Sequence, residues 1–264
     1  MTTDLKGFTV VVTGGSSGMG LEMARALLSH GATVVIGARG GQKLDDAYTQ
    51  LAENGHDVHA VPLDVRDEAS VNAAAAWFEE RFAHLDMLVN NAGLGLNAPG
   101  MESTTPGRQF YDIPVSTFNA IVETNFTGYF LVARAFAPMM VRKGKGRIVY
   151  VSTSTDTITR KGMFPYGPSK AAAEAMSSIV SEELRGLGIS VNVICPGGPT
   201  DTGMTPATAR ETLRQHNVPM LDADVMNRAI LFLASPDAEG VTGEKIVGKD
   251  FDDWLAGRKG STQN

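Results

Sequence analysis

The chain has 264 residues, of which 43% are hydrophobic and 20% are charged. This length and this balance are typical of one globular α/β domain over 1–264, and they exclude a disordered or fibrous protein. The formal net charge of -6 repels phosphate backbones and anionic lipid, so the composition indicates small-molecule partners, no nucleic acid and no membrane.

Short β-branched runs alternate along the chain with segments of helical periodicity. The first run, 8–12, leads into an amphipathic helix over 19–30. The same alternation predicts helices at 42–53 and 68–82 and strands at 33–36, 58–63, 86–90, 147–152, 189–194 and 244–247. Apolar strands separated by helices predict a doubly wound parallel sheet of the Rossmann type with helices on both faces.

Two segments without periodicity, 94–114 and 196–220, follow predicted strands. They should therefore lie at the carboxyl edge of the sheet, where open α/β folds bind ligands. We interpret them as a substrate wall and a mobile lid, with ordinary surface loops as the alternative. Large apolar side chains in or near these segments predict an apolar pocket: Phe110, Tyr111, Phe164, Met204 and Met220.

The sequence also bears on cellular location. No basic segment leads into a long apolar run at the start of the chain, and no apolar stretch is long enough to span a bilayer. The single cysteine, Cys195, allows no internal disulfide and fits a reducing compartment. We expect a cytoplasmic protein without a metal site, in which Cys195 is a small buried hydrophobe rather than a nucleophile.

A glycine-rich segment, TGGSSGMG over 13–20, stands where the first strand turns into the first helix. Glycine lets the backbone approach a pyrophosphate closely, and the helix N-terminus supplies N–H donors and positive partial charge. A plain turn is the alternative. The predicted nucleotide-binding residues of this turn are Gly14, Ser16, Ser17, Gly18, Met19 and Gly20.

The end of the second strand distinguishes the two nicotinamide cofactors. An acid there binds a ribose 2′-hydroxyl, whereas a guanidinium pairs with a 2′-phosphate. This chain has Ala38 followed by Arg39, which favours NADP(H). The alternative is that Arg39 is a solvated surface charge, because Ser17 supplies no second basic group in the glycine turn.

A tyrosine and a lysine four residues apart, Tyr166 and Lys170, lie on one face of the helix predicted to begin there. A free phenol titrates near pH ~10, too high for easy proton transfer at neutrality. A nearby ammonium and an oxidised nicotinamide both favour the phenolate, so we expect Lys170 to lower the pKa of Tyr166.

Three motifs together resemble the short-chain dehydrogenase/reductase family: Thr-Gly-x-x-x-Gly-x-Gly over 13–20, Asn-Asn-Ala-Gly over 90–93 and Tyr-x-x-x-Lys over 166–170. The resemblance implies an adenine contact, a motif that lines the cofactor and stabilises the sheet, and a turn that faces the nicotinamide. The residues at the matching positions are Asp64, Val65, Asn91, Ala92, Gly93, Pro196 and Gly197. It also implies a threonine that contacts the carboxamide, for which Thr202 competes with Thr200.

The same resemblance implies two further catalytic residues. Asn125 matches the family's helix asparagine, whose backbone holds a water that connects Lys170 to solvent. The family's catalytic serine falls on Thr153, which keeps a hydroxyl donor for a developing oxyanion and adds a methyl group. Ser154 is the alternative if the local loop is shifted.

The resulting hypothesis is an NADPH-dependent oxidoreductase that interconverts a carbonyl and a secondary alcohol, with Tyr166 as general acid/base. The replacement at Thr153 motivates an alternative, an NADP-binding regulatory protein with weak or no turnover. A related enoyl reductase, dehydratase or epimerase is a third hypothesis. The resemblance also implies a homotetramer or homodimer. The tail, 248–264, departs from the family's glycine-rich ending and either packs on a neighbouring subunit or the lid, or is a solvated terminus.

Overall fold

The computed structural model describes residues 3–101 and 109–261. Part of the first predicted substrate loop, 102–108, and the last residues of the predicted tail, 262–264, lie outside the described residues. Within them, one parallel sheet of seven strands has the order β3-β2-β1-β4-β5-β6-β7. The strands are β1 Thr9–Thr13, β2 Thr33–Ala38, β3 Val58–Pro62, β4 Met87–Asn90, β5 Gly146–Val151, β6 Ile189–Cys195 and β7 Lys245–Val247.

Helices connect the strands and cover the sheet. They are α1 Gly18–Ser29, α2 Gln42–Ala52, α3 Glu68–Glu79, α4 Val115–Val122, α5 Gly128–Lys143, α6 Thr155–Thr159, α7 Tyr166–Arg185, α8 Ala207–Gln215, α9 Asn227–Ala234 and α10 Phe251–Ser261. A π-helical turn, Glu123–Thr127, joins α4 to α5. In the described part of the chain, no helix combines the length and the apolar character that a bilayer crossing requires.

The order in which the chain adds strands to the sheet reverses between β1 and β4. The chain builds β1, β2 and β3 outward, then returns to place β4 on the other side of β1. From β4 it continues outward through β5, β6 and β7. The carboxyl ends of β1 and β4 therefore form a topological switch point, the position at which open α/β sheets bind ligands.

The core has one apolar layer on each face of the sheet. Successive side chains of a strand point to opposite faces, and in β1 this places Val10 and Val12 in one layer and Val11 in the other. The predicted doubly wound α/β sheet in a single domain is thus confirmed.

Two helices lie in segments that the sequence analysis describes as a loop and as a tail. The helix α8 lies inside the second predicted substrate loop, and α10 forms most of the predicted tail. The rings of Phe251 and Trp254 in α10 lie 5.7 and 5.5 Å from the ring of Phe232 in α9. The tail therefore packs on its own domain, with its aromatic side chains against the core.

The close approach of α1 to the switch point requires a glycine at position 20. A Cβ atom on Gly20 would lie 2.5 Å from the carbonyl oxygen of Gly14. We expect Gly20→Ala to lower the free energy of unfolding by about 1–3 kcal/mol through overpacking, measured by urea denaturation. Gly186→Ala is the control, because no atom lies within 4 Å of its added Cβ. Equal stability of Gly20→Ala and the wild type would contradict this packing.

Candidate active site

A cavity of about 610 Å³ lies at the switch point, on the carboxyl side of the sheet. Its volume is in the range of small-molecule and cofactor sites. The structure brings all but two of the predicted cofactor-binding residues to its wall: Gly14, Ser16, Ser17, Gly18, Met19, Gly20, Arg39, Asp64, Val65, Asn91, Ala92, Gly93, Tyr166, Lys170 and Thr202.

The two exceptions are Pro196 and Gly197, which are not among the residues that line this cavity. Gly197 has φ +93°, and an added Cβ would lie 2.5 Å from Val247 Cγ1. The Pro196 carbonyl accepts a hydrogen bond from the Lys249 amide at 3.1 Å. This turn packs on β7 and on the residues that follow β7. That packing is a structural explanation for the Pro-Gly pair.

The glycine turn is held by a buried threonine that precedes it. Thr13 Oγ1 donates to the Val89 carbonyl at 3.2 Å and accepts from the amides of Asn91 and Ala92 at 3.0 and 3.2 Å. The Asn91 side chain donates to the Thr13 carbonyl at 3.0 Å. These bonds join the ends of β1 and β4, so Asn91 both shapes the cavity wall and ties the two strands together.

Basic side chains gather at the end of the cavity near β2 and β3. Arg39, Lys43 and Arg66 line this end. Arg66 binds Asp64 through two parallel bonds, Nε to Oδ1 at 3.0 Å and Nη2 to Oδ2 at 2.7 Å. The side-chain hydrogen bond from Arg66 lowers the pKa of Asp64. The sequence analysis missed Lys43 and Arg66, although each follows a predicted site residue within four positions.

The first turn of α7 carries Tyr166 and Lys170 side by side into the cavity. The Thr153 side chain is hydrogen-bonded to Tyr166, whereas the Ser154 hydroxyl is bonded to Thr157 Oγ1 at 2.8 Å. The structure thus places Thr153, rather than Ser154, beside the phenol.

Burial affects the proton affinity of both groups. It raises the pKa of Tyr166 to about 12, and the hydrogen bond from Thr153 offsets part of that rise. It lowers the pKa of the Lys170 ammonium to about 7. The expectation that Lys170 lowers the pKa of Tyr166 is not met by the protein alone, because the low-dielectric interior disfavours the phenolate and the ammonium together.

The acceptors of the Lys170 ammonium were not foreseen from the sequence. Nζ donates to the phenolic oxygen of Tyr129 at 2.9 Å and to the carbonyl of Val151 at 2.8 Å. Tyr129 is fully buried in α5, and Val151 is the last residue of β5. A sequence motif does not reveal these contacts, because their partners are distant in the chain.

Asn125 lies in the π-helical turn between α4 and α5, a local geometry that is frequent at functional sites. Its side chain accepts from the Leu94 amide and donates to the Leu94 carbonyl, both at 2.8 Å, and donates to Ser169 Oγ at 3.0 Å. Asn125 therefore connects the loop after β4 to the first turn of α7. Its side chain does not line the cavity.

A partly buried charge network lies behind Lys170. Glu174 Oε1 accepts from the Ser152 hydroxyl and from Lys245 Nζ, the latter at 2.7 Å. Ser152 lines the cavity and directly precedes Thr153. The charge of Glu174 opposes the effect of burial on Lys170 and raises its pKa.

The two irregular segments meet over the cavity. Asn97 Nδ2 donates to the Gly203 carbonyl at 3.1 Å, and Met204 lines the cavity near Tyr166. Thr202 faces Gly18, whereas its competitor Thr200 is buried and bonds the Gly198 carbonyl. The other residues of the predicted apolar pocket do not line this cavity: Phe110, Tyr111, Phe164 and Met220. Among the described residues, no three His, Cys, Asp or Glu side chains cluster as metal ligands do.

The comparison with known proteins agrees with this geometry. The model of the short chain dehydrogenase family matches residues 8–212. The chain belongs to this family. It is an oxidoreductase of the short-chain dehydrogenase type, and the predicted family membership is confirmed.

Its relatives include enzymes whose names denote alcohol and ketone chemistry. The chain is 34% identical over 248 residues to the 2-(R)-hydroxypropyl-CoM dehydrogenase of Xanthobacter autotrophicus, covering 90% of this chain and 95% of the relative. It is 36% identical to a rhamnolipid-biosynthesis 3-oxoacyl-[acyl-carrier-protein] reductase of Pseudomonas aeruginosa, covering 73% of each. A solved actinorhodin polyketide ketoreductase with NADPH superimposes with a TM-score of 0.80 at 28% identity, covering 95% of this chain and 99% of that one.

The Glu174 network predicts a measurable change at Lys170. We expect Glu174→Gln to lower the pKa of Lys170, because the variant loses the negative charge that stabilises the ammonium. The ¹³Cε chemical shift of Lys170 as a function of pH, followed by NMR, measures this. Glu182→Gln, on the exposed side of the same helix and paired with Arg185, is the control. An unchanged Lys170 titration in Glu174→Gln would show that the carboxylate does not act on the ammonium.

Proposed function

We propose that this chain is an NADPH-dependent oxidoreductase that interconverts a carbonyl and a secondary alcohol. The proposal rests on the composition of one cavity. Tyr166, hydrogen-bonded to Thr153, lies beside Lys170 in this cavity, and the glycine turn and the basic side chains line other parts of it. The two relatives and the ketoreductase described above support the substrate class.

The residues of the cavity fit a dinucleotide with a 2′-phosphate. Gly14 and Gly18 have φ +66° and +55°, so the backbone of the turn is open to a pyrophosphate at the start of α1. Arg39 and Lys43 extend into the other end, and Ala38 presents no acid that would repel the phosphate. When bound, NADPH supplies the hydride for carbonyl reduction, and NADP⁺ accepts it in the reverse direction.

The side chains around Tyr166 supply the proton chemistry. Thr153 donates a hydrogen bond to the substrate oxygen, and Tyr166 transfers its phenolic proton to that oxygen as negative charge develops there. Lys170 favours the phenolate that remains. Because the pKa of Tyr166 is about 12, the phenol is protonated at neutral pH. The phenol is therefore available as a general acid for reduction, and alcohol oxidation, which needs the phenolate, should become faster as the pH rises.

We expect Tyr166→Phe to lower kcat for ketone reduction by at least about 100-fold, because the general acid is removed. The rate is measured by steady-state turnover of NADPH with a panel of ketones, and NADPH affinity by calorimetry. Tyr48→Phe is the control, since Tyr48 is 42% exposed and does not line the cavity. Equal turnover of Tyr166→Phe and the wild type would remove the catalytic assignment, and NADPH binding without turnover by the wild type would favour the regulatory alternative.

Cofactor choice is tested at the basic end of the cavity. We expect Arg39→Ala to weaken NADPH binding about 10-fold and to leave NADH binding nearly unchanged, because a charge-assisted bond to the 2′-phosphate is lost. Lys43→Ala should likewise weaken NADPH binding relative to NADH binding. Calorimetric titration measures the dissociation constants of both cofactors, and Arg81→Ala, outside the cavity, is the control. A parallel loss for NADH and NADPH would contradict recognition of the 2′-phosphate.

A further inference from the structure

We propose that Tyr129 is a positioning residue of the active site, the buried acceptor that holds Lys170 in place and maintains its protonated form. This inference rests on the proposed function of Tyr166 and Lys170. It adds a side chain from α5 that lies outside the motifs of the sequence and outside the cavity wall.

Three atoms form a closed triangle of hydrogen bonds. The Tyr129 hydroxyl donates to the Val151 carbonyl at 2.9 Å, and Lys170 Nζ donates to both oxygens, at 2.9 and 2.8 Å. A phenol has a single hydrogen, and the Val151 carbonyl accepts it. The lone pairs of the Tyr129 oxygen are therefore left to accept from the ammonium. The Tyr129 hydroxyl thus acts as donor to Val151 and as acceptor from Lys170.

The triangle leaves one ammonium hydrogen for the cavity. A lysine ammonium has three N–H donors, and Tyr129 and Val151 accept two of them. Lys170 is only 3% exposed, yet it lines the cavity together with Tyr166. Nζ also lies 4.8 Å from the centre of the Tyr129 ring. Because Tyr129 and Val151 fix two of the N–H donors of Lys170, the direction of the third N–H donor is fixed as well.

The position of Val151 couples this arrangement to the other catalytic groups. Val151 ends β5, and Ser152 and Thr153 follow it directly. Tyr129 therefore ties Lys170 to the strand end that carries the Thr153 hydroxyl. The Val151 carbonyl accepts from Tyr129 of α5 and from Lys170 of α7. It therefore fixes the relative positions of α5, α7 and β5 near the site of proton transfer.

The titratable groups near Lys170 come from all the elements around it. Tyr129 faces it from α5, Tyr166 and Glu174 from its own helix α7, and Tyr150 from β5 lies behind Tyr129 with ring centres 5.7 Å apart. Cys195 of β6 lies near Tyr166. The direct acceptors of Nζ are thus neutral, while the carboxylate of Glu174 is shared with Ser152 and Lys245. A neutral acceptor stabilises the protonated form of Lys170 less strongly than a hydrogen-bonded carboxylate would.

A matched pair of variants tests the proposal. Tyr129→Phe removes the acceptor and keeps the ring, and Tyr150→Phe removes the hydroxyl of the adjacent buried tyrosine. Among the described residues, the Tyr150 hydroxyl has no hydrogen-bond partner. Both changes remove one buried oxygen from neighbouring rings in the same apolar layer, so general effects of packing should appear in both variants.

We expect Tyr129→Phe to lower the pKa of Lys170 by about one unit, since a hydrogen bond to a charged group is lost. Because the active form in ketone reduction carries the ammonium, the decline of kcat for reduction at rising pH should move to lower pH by about the same amount. At pH 7, near the pKa of Lys170 in the wild type, a one-unit shift lowers the protonated fraction and therefore kcat about 5-fold, with little change in KM for NADPH or the ketone. Tyr150→Phe should keep the wild-type profile.

The titration of Lys170 separates this proposal from the proposed function. The ¹³Cε shift of Lys170 is followed by NMR in the free protein, assigned by comparison with Lys170→Met, and requires no turnover. A lower Lys170 pKa in Tyr129→Phe alone supports the positioning role even if no ketone is reduced. The same Lys170 pKa in Tyr129→Phe and the wild type, or equal shifts in Tyr129→Phe and Tyr150→Phe, would overturn it.

Discussion

The buried ammonium of Lys170 constrains the site more than any other group. Burial disfavours its charge, and the protein offsets this with oxygen acceptors from α5 and β5 and with the nearby charge of Glu174. The same enclosure raises the pKa of Tyr166. Two groups that titrate close together as free side chains, near pH ~10 for the phenol and ~10.4 for the ammonium, are thereby shifted in opposite directions. The proposed proton transfer depends on this difference between the pKa values of Tyr166 and Lys170.

The topology of the sheet brings these groups to one place. The reversal of strand order between β1 and β4 opens a crevice at their carboxyl ends. Thr13 and Asn91 join the two strand ends across it, and the glycine turn follows immediately. The first turn of α7 enters the same crevice beside the end of β5. The dinucleotide end and the proton-transfer end are therefore parts of one cavity, built by neighbouring strands.

Local patterns could be predicted from the sequence, whereas contacts between distant segments could not. The glycine turn and the Tyr166 and Lys170 pair are short motifs at strand ends, and both line the cavity. Tyr129 was missed because its bond to Lys170 joins residues 41 positions apart. The rise of the Tyr166 pKa through burial was not predicted, because desolvation depends on packing. The Pro-Gly pair after β6 matched a motif, yet packing on β7 decides where it lies.

The most direct test of the account is the destination of the hydride. The wild-type protein is incubated with a reducible ketone and with NADPH that carries deuterium at the transferred position of the nicotinamide. The alcohol product is analysed by mass spectrometry and NMR. The account predicts a single deuterium on the carbinol carbon. Deuterium on a neighbouring carbon, an unlabelled alcohol, or no alcohol with any ketone of the panel would contradict it.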